Sequence, residues 1–202
     1  MGRVRDKYAE TTRQTLIDTG RRLFTERDFS TLSAEEIVRE AGLTRGALYH
    51  HFDGKKGLFE AVFVEHEAEA SRRIGVAVDG GSDILDAVDR GISEFLSVCS
   101  EPAYLRIVLQ QGPIALGWAR WREIDQGYLG DVVVSSVQAL IGDGIIAPYP
   151  PELLVSVYYG ALTELSMTIA DSEDRDRARV DAMEIIRKMI GGLIVQPDQS
   201  EN

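Results

Sequence analysis

Between Ser33 and Phe52 the chain leaves room for two short helices and only a tight turn to join them. Ser33 is a residue type that caps a helix N-terminus. Glu36 stands three residues on, the spacing at which a glutamate reaches back to the capping residue's own N–H. Ala34, Ile37, Val38 and Ala41 then share one helical face. Gly42 falls where a helix exit calls for positive φ. Leu43 reads as an apolar plug in the turn, and Thr44 as the cap of a second helix whose Ala47, Leu48 and Phe52 keep helical spacing. Two short helices around a turn of about three or four residues containing glycine form a helix-turn-helix. In that motif the second helix enters the DNA major groove with its first residues at the base edges.

The second helix carries suitable chemistry. Arg45 offers a fork of donors to guanine or phosphate. Thr44 can donate to a phosphate or touch a thymine methyl, and Gly46 and Ala47 are small enough for close approach. Tyr49 and His50 carry donors for phosphate oxygens, and Lys55 and Lys56 open the next helical pattern. With the capping Ser33, the candidate DNA-contacting set is Ser33, Thr44, Arg45, Gly46, Ala47, Tyr49, His50 and Lys55. Arg3, Arg5 and Lys7 add a candidate basic arm.

These residues resemble a known family. The run Ser33-Ala34-Glu35-Glu36-Ile37, then Ala41-Gly42-Leu43-Thr44, Gly46-Ala47-Leu48-Tyr49-His50-His51-Phe52, Lys55 and Leu58-Phe59 looks like the DNA-binding domain of TetR-type transcriptional regulators. So do Leu23-Phe24-Thr25-Glu26 and Phe29-Ser30-Thr31-Leu32 upstream. The likeness covers roughly Thr12 to Val64. It departs at Asp28, where the family has a glycine turn, and at Asp53-Gly54 ahead of Lys55. The resemblance implies an all-α fold of about nine helices. Residues 1–65 would form a three-helix DNA-binding domain with its helix-turn-helix at about 33–52, and residues 66–202 a C-terminal effector-binding and dimerisation bundle. It further implies a homodimer whose last two helices, about 152–170 and 174–193, form a four-helix interface. The partners would be a pseudo-palindromic double-stranded operator and a small, mostly apolar effector that releases a repressor from it.

A net charge of −11 seems to oppose DNA binding until it is divided along the chain. Through His66 there are 11 Lys and Arg against 11 Asp and Glu; from Glu67 onward there are 11 against 22, so the excess lies wholly in the second part. Exposed charges farther apart than about 10 Å are largely screened at ~0.1 M salt, so local charge governs phosphate binding. No run of 18 apolar residues suggests a membrane partner, and the polar N-terminus lacks a secretory pattern. The lone Cys99 cannot form an internal disulfide, and together these features point to the cytoplasm.

Downstream, Asp79-Gly80-Gly81-Ser82 breaks a helix that starts near Gly57, and Ser82 or Asp83 caps the next. Gly112-Pro113 is expected to break the following helix, and a further one to resume near Tyr128. Thr11 or Thr12 is expected to cap the first helix. No phosphate loop, metal-ligand spacing or nucleophile–base set occurs, so no cofactor, metal site or catalysis is expected. Helical bundles host small molecules among aromatic and apolar side chains with a few polar groups. The candidate effector residues are Phe95, Cys99, Tyr104, Val108, Gln111, Trp118, Trp121, Tyr158 and Glu164. Two other classes fit less well: a helical enzyme using that pocket, and an adaptor whose helix-turn-helix serves only packing.

Overall fold

The computed structural model describes residues 2–195, with side chains from residue 7 onward. Among the described residues there are nine helices and no strand. In order they are α1 (Gly2–Glu26), α2 (Ala34–Glu40), α3 (Arg45–Phe52), α4 (Gly54–Asp79), α5 (Ile84–Cys99), α6 (102–116), α7 (118–142), α8 (Pro151–Asp171) and α9 (Arg175–Gly191). The expected bounds of the last two differ from these by one or two residues.

Three local expectations are corrected. The first helix is not capped at Thr11 or Thr12 but runs through both from Gly2. The Thr11 hydroxyl donates back to the Lys7 carbonyl at 2.9 Å, as a threonine inside a helix does. The backbone of the candidate basic arm is thus helical from Gly2, while the side chains of Arg3 and Arg5 lie outside the described residues. Gly112-Pro113 does not end α6, because proline sits at the start of a new turn, where its missing N–H costs nothing. A widened π stretch, Leu105–Gln111, leads into that turn. A second, Gln126–Gly130, lets α7 run unbroken past Tyr128.

The chain forms two compact units. The first comprises Met1–Ala68 and Pro102–Ile124; the second comprises Glu69–Glu101 and Asp125–Asn202. In the first unit, Leu16, Ile17, Phe24, Leu48, Leu58, Phe59 and Phe63 are fully buried. The rings of Phe24 and Phe29 both meet Phe59 edge-on, at 5.0 and 5.1 Å between centroids. Residues 102–124 belong here because they complete this core. Trp121 is 1% exposed, and its indole N–H donates to the Val108 carbonyl at 2.9 Å. In the second unit α5, α8 and α9 pack through Leu96, Leu162, Ile169, Ala182, Met183 and Ile186. Val137, Leu140, Ile146 and Leu154 form a second cluster.

Gly112 lets two aromatic rings of the first unit's core close in: a Cβ there lies 2.6 Å from the Trp121 ring and 2.9 Å from Phe63. Overpacking of this kind costs about 1–3 kcal/mol. Gly112→Ala is therefore expected to lower stability by that amount, read as a reduced urea midpoint with an unchanged m-value.

Candidate functional site

The helix-turn-helix is defined by how its ends are closed. At the start of α2 the Glu36 N–H donates to Ser33 Oγ at 3.1 Å. The Ser33 N–H donates to Glu36 Oε2 at 2.9 Å, so the capping box is complete. The Ser33 N–H, and then the Ser33 hydroxyl, which donates to the same Oε2 at 2.9 Å, hold the Glu36 carboxyl down at about 2. At the far end Gly42 takes φ 66°. The Leu43 N–H reaches the Val38 carbonyl at 2.8 Å and the Gly42 N–H reaches Arg39 at 3.1 Å, the paired bonds of a Schellman turn. Thr44 Oγ1 then accepts from the Ala47 N–H at 3.2 Å and starts α3, and Asp53, left-handed at φ 53°, ends it. The acid that departs from the family pattern thus sits in a conformation that aspartate tolerates.

On α3, Leu48 and Phe52 are buried, while Arg45, Gly46, Tyr49 and His50 are exposed. A Cβ on Gly46 meets nothing closer than Thr44 Oγ1 at 3.8 Å, so this face is open to a partner. Arg45 Nη1–H donates to Glu35 Oε1 at 2.6 Å and Nη2–H to the Tyr49 hydroxyl at 3.4 Å. The guanidinium carbon lies 5.3 Å from the centre of the Tyr49 ring. Its pKa is raised, chiefly by the Tyr49 hydrogen bond and then by the Glu35 charge. His50 and His51 pack edge-on with centroids 5.0 Å apart.

Lys55 stands differently from its neighbours. Its ammonium donates to the carbonyls of Phe29 and Leu32, each at 2.6 Å, and lies 4.1 Å from the centre of the Phe29 ring. Burial lowers its pKa. Two of its three hydrogens therefore hold the segment between α1 and α2.

The nine candidate effector residues do not form one site. Phe95 and Tyr158 line a cavity of about 90 Å³ within the second unit. Tyr104, Val108, Gln111 and Trp121 are buried in the first unit, each with packing or hydrogen-bonding work there. The Gln111 amide donates to the Phe24 carbonyl at 2.7 Å, and its oxygen accepts from the Phe29 N–H at 2.6 Å, closing the end of α1. The Tyr104 hydroxyl donates to Glu67 at 3.3 Å. Trp118 and Glu164 are exposed, and Cys99 is buried away from the cavity.

The cavity wall is built mainly by aliphatic side chains outside the candidate effector set: Ile74 and Val78 of α4, Ile92 of α5, and Val133 and Val137 of α7. Gly91 of α5 and Tyr159 of α8 also line it. The available signal was a small residue, Gly91, in mid-helix opposite a face of β-branched residues. Lining polar groups are few: the Ser136 hydroxyl donates to the Val132 carbonyl at 2.8 Å, and burial raises the Tyr158 hydroxyl, keeping it protonated. Among the described residues, no charged side chain lines the cavity.

Comparison with known proteins agrees with this arrangement. Residues 16–62 match the family model for bacterial regulatory proteins of the tetR family, and residues 85–193 match the model described as the tetracyclin repressor-like C-terminal domain. The chain is 24% identical over 196 residues to the HTH-type transcriptional regulator UidR of Escherichia coli strain K12, covering 92% of this chain and 94% of that protein. It is 41% identical over 63 residues to the regulator AcrR of Shigella flexneri, covering 31% of this chain and 29% of that protein. Among solved structures, a TetR-family transcriptional regulator from Pectobacterium atrosepticum superposes with a TM-score of 0.80 at 33% identity, covering 95% of this chain and 98% of that one.

The capping box generates a pH-dependent expectation. Glu36 has its pKa lowered on folding, from 4.5 to about 2, so its contribution is complete above pH 4.5 and is lost as pH falls toward 2. The difference in thermal midpoint between the parent and Glu36→Gln is thus expected to stay constant from pH 6 to about pH 4.5 and to narrow from there toward pH 2. Ser33→Ala, which removes the other half of the box, is expected to cost about 1 kcal/mol at neutral pH.

Proposed function

The chain belongs to the TetR family of bacterial regulatory proteins, and from that premise we propose that it represses transcription as a homodimer that a small apolar effector releases from its operator. It is a DNA-binding transcriptional regulator, and regulators of this family bind operator DNA, form dimers and respond to small molecules. The reading assigns residues 1–65 to DNA binding, the remainder to effector binding and dimerisation, and places the protein in the cytoplasm with the DNA it controls. The observation that carries it is the exposed, doubly capped α3, which presents Arg45, Tyr49 and His50 on one open face. Arg45 would read guanine. Thr44, Tyr49, His50 and the remaining hydrogen of Lys55 would hold phosphates, and Gly46 and Ala47 would admit the backbone.

An unmet apolar face supports the dimer. The inner faces of α8 and α9 pack within the chain. Their outer faces leave Leu153 at 61%, Val157 at 56%, Val180 at 58% and Ile185 at 49% exposed. Leu153, Val157, Gly160 and Glu164 follow one stripe of α8 at helical spacing, and a Cβ on Gly160 meets nothing within 4 Å. By length and hydropathy α8 would also suit a membrane span. Glu164, the last residue of that stripe and still within the apolar helix, favours a second copy of the chain over lipid.

The cavity supports an uncharged effector. A carboxylate or ammonium entering it would lose its hydration and find no opposite charge. At about 90 Å³ it is smaller than the ~150 Å³ cavity that accepts benzene, so an occupant must displace the wall. That wall includes Ile74 and Val78, which lie on the same α4 that supplies the buried Leu58 and Phe59 to the first unit. Effector and DNA would then weaken each other's binding by the same factor.

Two outcomes follow. Selection from a random duplex library is expected to enrich a two-fold related motif with half-sites about 34–36 Å apart or a multiple of that; Arg45→Ala should cost about 1–3 kcal/mol on it and relax one base position. In thermal unfolding, 1-octanol is expected to raise the midpoint with increasing concentration, whereas octanoate at equal concentration should not; equal shifts would reject an uncharged-ligand cavity.

A further inference from the structure

Arg45 does not stand alone on the reading surface. Glu35, on the first turn of α2, points its carboxylate at the first residue of α3, with Oε1 2.6 Å from Arg45 Nη1. Both side chains are about three-fifths exposed. An exposed ion pair of this kind contributes only about 0–1 kcal/mol, so it is not there to hold the fold, whose caps and buried faces are elsewhere. An acid on a face that meets phosphates also opposes binding in general. Its effect is on geometry. With Glu35 on one edge, Tyr49 Oη on another and the Tyr49 ring alongside, the guanidinium of a side chain with many rotamers is held in one orientation. Its fork then meets the groove already ordered, which lowers the entropy lost on pairing with a base.

We propose that Glu35 is a specificity-determining residue of the operator-reading surface. It fixes the Arg45 fork for the O6 and N7 of a guanine and offers its own carboxylate to the amino group of a neighbouring cytosine. The proposal rests on the DNA-binding reading above. Glutamate accepts from cytosine N4 and arginine donates to guanine, so the two side chains together ask for G·C pairs at one step of the half-site. A thymine or adenine there would leave the carboxylate facing an acceptor or out of reach of a donor. Glu35 thus trades general affinity for discrimination.

The test compares the parent, Glu35→Gln, Glu35→Asp and Arg45→Ala, each with its thermal midpoint checked. Affinity is measured on the selected operator, on its single base-pair variants through one half-site, and on a random duplex. Glu35→Gln is expected to bind the random duplex more tightly than the parent. At the base position that Arg45→Ala relaxes, it should lose about tenfold or more of its discrimination. Glu35→Asp keeps the charge at shorter reach and should fall between them. At that position, adding Glu35→Gln to Arg45→Ala should change nothing further. A purely structural role for Glu35 would shift all duplexes together and leave the base profile intact. A parent with a sharp operator and a Glu35→Gln profile that superimposes on it, whatever the change in affinity, overturns this inference alone. A parent that enriches no sequence overturns the DNA-binding reading and this inference with it.

Discussion

The reading surface depends on the ordering of two helices too short to persist by themselves. α2 has 7 residues and α3 has 8, below the ~12–15 at which an isolated helix becomes even marginally stable in water. Each exists because its ends are closed and one side is buried. The Schellman turn at Gly42 is the joint between them, since it consumes the last carbonyls of α2 and delivers Leu43 and Thr44 in position to begin α3. From the other side, Leu48 and Phe52 bury the inner face of α3. Lys55 fastens the approach to α2 by taking the carbonyls of Phe29 and Leu32. Phe29 is in turn fixed against Phe59 and Phe24. Arg45 can be aimed only because this chain of contacts fixes the helix that bears it.

The local part of this was legible in the sequence. Ser33 with Glu36, Gly42, and Thr44 ahead of Ala47 are signals that act within three or four residues, and the hydrogen bonds they specify all formed. The last two helices were also readable from long apolar periodicities, whereas the count of about nine helices came from the family resemblance. Lys55 was legible as a cation near a helix start, but its two carbonyl partners lie 23 and 26 residues away and have no sequence mark. The cavity was least legible. A void is what packing leaves over, and the residues around it, such as Val133 and Val137, have the same pattern as filled core. Large aromatics drew attention instead, and Trp121 and Tyr104 turned out to complete the first unit. The cause is that residues 102–124 fold with the N-terminal part, a long-range choice that periodicity does not encode.

The charge of the chain takes on a physical sense once its placement is known. Within the first unit many arginines already face acids: Arg22 with Glu26 and Glu40, Arg27 with Glu36, Arg120 with Glu60. Arg21 is likewise paired with Glu65. These pairs leave little free positive charge to bind phosphate indiscriminately. A surface with balanced charge binds random duplex weakly, which lowers the background against which a specific site must compete.

That background decides occupancy in a cell, where about 10⁶–10⁹ non-specific sites compete with one operator. A regulator can favour its operator by adding contacts there or by weakening contacts everywhere else, and the second route does not require a larger interface. The Glu35–Arg45 pair suits the second route. Off target, breaking it exposes a carboxylate to phosphates and gains nothing in return. On target, the pair is kept, and the fork it orders makes a bidentate guanine contact worth about 1–3 kcal/mol that other sites do not offer. The small difference is enough, because each 1.4 kcal/mol is a factor of ten in the ratio of bound states, and a dimer applies that difference once in each half-site.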